Sequence, residues 1–148
     1  MFSIIIPTFN NLEYLKLCLK SLQKNSKYNH EIVLHVNEGV DGTLEYVKNE
    51  KIKFSYNKNN SGVCVAFNEA VKLSTKKYIV LAHDDMYFCP GWDEIFKKEL
   101  DKNIEYKDFF LSGTMVQPFH SYITLDCGKT INDFDENKLL TELSKIKY

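Results

Sequence analysis

No arginine occurs in this 148-residue chain; all 19 basic residues are lysine. Any phosphate must therefore be met by ammonium groups, backbone N–H groups, helix N-termini or a metal ion, not by a bidentate guanidinium fork. The 20 acidic residues nearly cancel the basic ones and no long block of one sign is present. That balance excludes a nucleic-acid binder working through a basic surface. No uninterrupted apolar segment approaches membrane-spanning length, so an integral membrane protein is not expected. The N-terminus lacks the charged-then-apolar order of a secretory signal, which makes the cytoplasm the default location. The four cysteines, Cys18, Cys64, Cys89 and Cys127, are scattered without a C-x-x-C pair. Zinc ligation and a disulfide framework are both disfavoured, and buried reduced thiols are the simpler reading. A G-x-G-x-x-G loop is missing too, which argues against a dinucleotide-dependent oxidoreductase.

What is present is a core. Apolar residues make up 44% of the chain and aromatics 14%, enough for one folded domain. Residues 2–6 form a short β-branched run closed by Pro7, which suits a buried first strand. Asn10 followed by Glu13 has the spacing of a capping box, and Leu12, Leu15, Leu19 and Leu22 then recur at helical intervals. Further strands are predicted at residues 32–36, 52–56, 78–82 and 109–116. Helices are predicted after Asp41-Gly42-Thr43 and over residues 63–73, 92–100 and 136–146. Trp92 is expected to pack in the core with Phe96. Strands alternating with helices argue for an α/β fold, a mainly parallel sheet covered on both faces.

In such sheets ligands bind beyond the carboxyl ends of the strands. Thr8 and Asn10 follow the first strand, Asn37 and Glu38 the second, and Asp84 and Asp85 the fourth. An adjacent Asp pair supplies hard oxygen ligands for Mg2+ or Mn2+, ions that commonly also hold substrate phosphates. A bare Asp-Asp more often turns the chain or caps a helix. Here the pair follows Ile79, Val80 and Leu81, and two like charges against an apolar strand call for a cation. His83 beside them is read as a packed imidazole rather than a ligand. A phosphoacceptor signalling domain also uses paired acids, but after the first strand, where this chain has Pro7-Thr8.

Four segments, SIIIPTFN (3–10), VDGT (40–43), NNSGVCVAFNEAV (59–71) and LAHDDMYFCPGW (81–92), together resemble glycosyltransferase family 2 in order, spacing and predicted elements. The resemblance covers roughly residues 2–100, on the order of two thirds of the chain. It implies a GT-A nucleotide-sugar fold, a single domain over 1–148 whose residues 1–100 bind the donor and whose residues 101–148 are a partial acceptor side. It implies that Pro7, Thr8 and Asn10 lie where base and ribose bind. Glu38 stands where the family has an acidic residue that contacts the base. Asp41 matches the family's D-G-T aspartate and is expected to cap the following helix. Asn60 and Gly62 match the N-x-G turn before the third helix. Phe67 departs from the pattern, since an arginine often stands just before the asparagine seen here as Asn68. Asp84 and Asp85 match a shortened D-x-D-type motif, with Ala82 where the longer form has its first acid. By resemblance, Asp84 faces the ribose or sugar and Asp85 binds the Mn2+ or Mg2+ that bridges two phosphates.

The expected activity is metal-dependent, inverting transfer of a sugar from a UDP-type donor to a glycan or lipid-linked acceptor. The alternative is a non-catalytic nucleotide-sugar-binding or assembly module. No catalytic base is identifiable, and Asp126, Asp133, Asp135 and Glu136 read as solvated tail carboxylates.

Overall fold

The computed structural model describes residues 1–102 and 109–146. The chain divides into two compact units, Met1–Ile95 and Phe96–Tyr148. In the first, β1 (Phe2–Phe9), α1 (Leu12–Asn25), β2 (Glu31–Asn37), α2 (Thr43–Asn49), β3 (Lys53–Asn57), α3 (Val63–Val71) and β4 (Tyr78–Leu81) alternate along the chain. The four strands form a parallel sheet in the order β3-β2-β1-β4. The chain therefore builds outward from β1 through β2 to β3, then returns to the other side of β1. That reversal is a topological switch point between β1 and β4, where open α/β sheets leave a crevice for ligands.

β1 is the buried centre, with Ile4, Ile5 and Ile6 fully inaccessible. Successive side chains of a strand point to opposite faces. Ile5 and Val33 therefore share the face where Ala70, Phe67 and Val71 of α3 pack. The opposite face, with Ile4, Ile6, Leu34 and Val36, is buried as well, and the buried stripes of α1 (Leu15, Leu19, Leu22) and α2 (Val47) are apolar to match.

Pro7 does not close β1, which runs two residues further, to Phe9. The Ile5 carbonyl accepts the Ala82 N–H at 3.0 Å, so Ile5 faces β4. Alternate residues of a strand bond on the same side, and Pro7 thus lacks its N–H on the side where β4 has already ended at Leu81, opposite Ile5. The missing donor leaves no ladder bond broken. Among the described residues β4 is an edge strand, and Ile79 and Leu81 are exposed although the apolar run predicts a buried strand.

At the amino ends of the strands two carboxylates gather neighbouring segments. Glu31 accepts from Ser3 Oγ (2.5 Å), Lys53 Nζ (2.5 Å), Thr75 N–H (2.8 Å) and Thr75 Oγ1 (3.0 Å). Burial pushes its carboxyl up, but these bonds outweigh it and bring the pKa down to about 2. A folded value below the unfolded one stabilises the fold above the unfolded pKa, near 4.5, and the contribution is lost as pH falls through about 2. Thermal unfolding followed by circular dichroism should show the wild-type midpoint dropping steeply from pH 5 to pH 2.5. Glu31→Gln should be less stable at neutral pH and flatter across that window.

Asp93, fully buried, accepts from Lys27 N–H and Tyr28 N–H at 2.8 Å each and from His30 Nε2 at 2.9 Å. His30 Nδ1 accepts the Phe2 N–H at 3.3 Å, so the imidazole is the neutral Nε2–H tautomer, in keeping with burial lowering its pKa. Trp92 packs there against Phe2, His30 and Phe88 and donates its indole N–H to Ser26 Oγ at 3.1 Å.

The helix α4 (Trp92–Lys102) carries the chain from the first unit into the second. There, β5 (Val116–Gln117) pairs in parallel with β6 (Ile123–Thr124), and α5 (Glu136–Leu143) follows a short 3-10 turn, Ile131–Asp133. The strand predicted over 109–116 is reduced to its last residue, because an apolar run becomes a strand only where a partner pairs with it. Residues 109–115 carry no regular structure. The tail carboxylates are occupied locally. Asp126 accepts Gly128 N–H (3.0 Å) and Asp135 caps α5 through Lys138 N–H (2.8 Å). Asp133 accepts Lys129 N–H (3.0 Å), Thr130 N–H (2.6 Å) and Thr130 Oγ1 (2.5 Å), and those bonds hold its pKa at about 2.

Candidate functional site

The strand register brings the polar loops to one edge. Phe9 pairs with Asn37 and Asn37 with Asn57, so β1, β2 and β3 end level. β4 ends lower, with Leu81 opposite Ile5, and three further residues on each chain bring Asp84 alongside Thr8.

Asn10 stands at the mouth of this edge with φ +47°, a left-handed conformation that Asn tolerates. It does not begin a capping box: α1 starts at Leu12 after Asn11. Its side chain instead clasps the loop after β2. Asn10 Oδ1 accepts Gly39 N–H and Val40 N–H at 3.0 Å each, and Nδ2 donates to Glu38 Oε2 at 3.2 Å. The cap of α1 comes from Asp41, whose Oδ2 accepts the Leu12 N–H at 2.8 Å while Oδ1 accepts the Thr43 N–H at 3.1 Å. One carboxylate thus serves the first turns of α1 and α2 together. Gly39 has φ +75°, and a Cβ there would meet Leu44 Cβ at 2.8 Å and Leu44 N at 2.9 Å, so this crossing of loop and helix admits only glycine.

Asn60 and Gly62 lie on the loop entering α3. Asn60 Oδ1 accepts the Gly62 N–H at 2.9 Å, and Gly62 has φ +79° with open space around the missing side chain. Ser61 between them donates both its N–H and its hydroxyl to Asn37 Oδ1 at 2.9 Å, which ties this loop to the end of β2. Pro7 and Thr8 are buried, Asn60 and Gly62 exposed, and Glu38 half-buried.

Asp84 and Asp85 occupy the middle of a tight turn closed by Met86 N–H donating to the His83 carbonyl at 3.3 Å. Asp85 is exposed and Asp84 half-buried. Burial raises the Asp84 pKa, the Thr8 hydroxyl and Asn11 amide pull it down, and the Asp85 charge adds to the rise. Neither Asp84 Oδ2 nor Thr8 Oγ1 has a well-formed hydrogen bond among the described residues, although both atoms are buried. Buried polar atoms are nearly always satisfied, and these two lie side by side at the switch point, with little but each other and Asn11 to meet. His83 is exposed and stands edge-to-face on Phe67 at 5.7 Å. Beneath the turn the buried Cys18 thiol is pushed up to about 12 by its burial and by both aspartates.

No trio of His, Cys, Asp or Glu among the described residues forms a metal site by itself. Two carboxylates on one turn, one with an unpartnered oxygen, nevertheless suit a divalent ion that takes its remaining ligands from phosphate and water.

A sequence profile of the family described as "Glycosyl transferase family 2" matches residues 3–113, three quarters of the chain and every loop of this site. The chain belongs to glycosyl transferase family 2. An uncharacterised glycosyltransferase of Mycoplasma genitalium, MG025, is 32% identical over 99% of this chain and 49% of its own length. The chondroitin synthase of Pasteurella multocida is 27% identical over 95% of this chain and 15% of its own length. The chain thus spans about half or less of the length of these curated relatives. Among solved structures, TarS of S. aureus in complex with UDP superposes with a TM-score of 0.61 and 26% identity, over 68% of this chain and 32% of that one. The architecture is that of the GT-A glycosyltransferases.

Asp93 and Ser21, both buried and both bonded to loops, escaped the sequence reading. Each sits within an apolar periodicity that gives no sign of a polar partner.

Proposed function

We propose that residues 1–100 bind the nucleoside-diphosphate sugar of a metal-dependent glycosyltransferase and that residues 101–148 belong to its acceptor side. The donor is UDP-linked and the acceptor a glycan or lipid-linked sugar. The observation that carries the reading is the meeting of the buried oxygens of Thr8 and Asp84 at the switch point, with Asp85 exposed on the same turn. In this reading Thr8 and Asp84 take ribose hydroxyls, and Glu38, held by Asn10, accepts from a base N–H. Asp85 would hold Mn2+ or Mg2+ beside the diphosphate. Bound there, the ion supplies Lewis-acid neutralisation of the leaving diphosphate. With Phe67 in place of the family's frequent arginine, and no arginine anywhere, no guanidinium shares that task. Pro7, Asn60 and Gly62 shape the wall of the cleft and let the ligand approach the backbone. Inversion at the anomeric carbon is what the family resemblance implies for the transfer. Four cysteines outside any disulfide among the described residues fit a reducing compartment, the cytoplasm.

A second reading, a donor-binding module without transfer, is favoured by one observation: Asp126, Asp133 and Asp135 are taken up by backbone N–H groups and offer no free base. Titration calorimetry of UDP with and without Mn2+ tests the donor site, and Mn2+ should tighten binding. Sustained sugar transfer from UDP-sugars by the purified chain would exclude the second reading, whereas binding without transfer would exclude the first.

A further inference from the structure

Helix α1 turns three polar side chains, Cys18, Ser21 and Asn25, toward the segment that follows β4, and their spacing of three and four places them on one face. Each is engaged. The Cys18 thiol donates at 3.6 Å to the His83 carbonyl, the same oxygen that accepts Met86 N–H and closes the Asp84–Asp85 turn. Ser21 donates its hydroxyl to the Cys18 carbonyl at 2.7 Å and accepts the Phe88 N–H at 2.9 Å. Asn25 Nδ2 donates to the Phe88 carbonyl at 2.7 Å and to the Tyr87 hydroxyl at 3.1 Å, and the Asn25 carbonyl accepts Gly91 N–H at 3.4 Å.

Cys18 and Ser21 are buried and Asn25 is half-buried. A helix face built only to pack would be apolar here, since a buried hydroxyl or amide is unfavourable unless bonded. These groups bond one short stretch of backbone, and that stretch begins with the acidic turn. Asp84 is oriented from its other side by Thr8 and Asn11. Asp85 is exposed, and the bonds that α1 makes to its loop on either side of it, at His83 and Phe88, restrict where its carboxylate can reach.

We infer that Ser21 and Asn25 are positioning residues for the divalent ion: by fixing residues 87–88 on α1 they set where the turn presents the Asp85 carboxylate, while Asp84 is held from its other side by Thr8 and Asn11. The inference rests on Asp85 being a metal ligand. A ligand on an unclamped loop loses affinity to the entropy of ordering it, and outer supports of metal ligands are worth about 10–100-fold in metal affinity.

The test is calorimetry of UDP into the full chain across a Mn2+ series, with hydrogen exchange of the Met86 and Phe88 amides followed in parallel. Asn25→Ala and Ser21→Ala should each raise the Mn2+ concentration for half-maximal tightening about tenfold. UDP affinity in EDTA should stay at the wild-type value, and the two amides should exchange faster. Ser21→Thr keeps the hydroxyl and should restore wild-type Mn2+ response. Asn25→Ala, at a half-buried position, carries the test if Ser21→Ala does not fold. A folded Asn25→Ala protein with the wild-type Mn2+ midpoint overturns the positioning role alone. A wild-type chain whose UDP binding ignores Mn2+ overturns the metal reading and this inference with it.

Discussion

Asp85→Ala is expected to bind UDP equally well in Mn2+ and in EDTA, and to lose sugar transfer by about 10³-fold or more. The size follows from the several kcal/mol that a divalent ion supplies to developing charge on a leaving phosphate. It should be larger here than in a relative with a cationic side chain on α3, because Phe67 offers the diphosphate no charge. Asp85 is exposed, and a surface substitution of this kind changes stability by about 0.5 kcal/mol or less. An unchanged melting midpoint would therefore locate the loss in the site and not in the fold. Asp84→Asn should behave differently. Its carboxyl is half-buried against Thr8 and Asn11, so the variant should weaken UDP about tenfold or more in both buffers through the lost ribose contact. Equal behaviour of the two variants would mean that the adjacent aspartates do not divide the work.

The second large effect concerns folding. Asp93→Ala removes a side-chain acceptor that the Lys27 and Tyr28 amides and His30 Nε2 share, at a position with no solvent exposure. Burial raises the Asp93 pKa, but the bonds from Tyr28, His30 and Lys27 overcome it, and the net shift is downward. The carboxylate is thus ionised in the folded chain, and one of its oxygens, Oδ2, takes all three bonds. Removing one partner of a buried charged network typically destabilises by about 3–5 kcal/mol, a large part of the ~5–15 kcal/mol that holds a domain folded. Thermal and urea unfolding should register this as a fall in midpoint of roughly 10 °C. The network lies at the amino ends of the strands and the donor site at their carboxyl ends. Folded Asp93→Ala protein, assayed in the cold, should accordingly keep wild-type UDP affinity. A variant as stable as wild type would show that water replaces the carboxylate without loss.

The alternation of strands and helices through residue 100 was legible because each element carries its own period: β-branched runs for β1 and β2, leucines at helical spacing for α1. The ends of the strands were legible as a site because polar residues break those runs at corresponding places. What local pattern misled was partnership. Asn10 and Glu13 have the spacing of a cap, yet Asp41, 29 residues from Leu12, provides the cap and frees Asn10 to hold Glu38. Pro7 marks a strand end in isolation, but beside a shorter neighbour it is accommodated within one. Ser21 sits between Leu19 and Leu22 with nothing nearby in sequence to announce Phe88. Asp93 follows the conspicuous Trp92, and its three donors come from the turn after α1, at least 63 residues away. The run at 109–116 fails for a related reason, as among the described residues a strand lies beside it only at Val116.

The central claim is that one divalent ion, held by Asp85, ties a nucleoside diphosphate to the crevice between β1 and β4. A crystal structure of the chain grown with UDP and Mn2+ tests it most directly. The account predicts anomalous density for manganese at about 2.0–2.3 Å from an Asp85 carboxylate oxygen and from both phosphates, with the ribose on Thr8 and Asp84. Manganese on other ligands, or UDP bound away from that crevice, would contradict it.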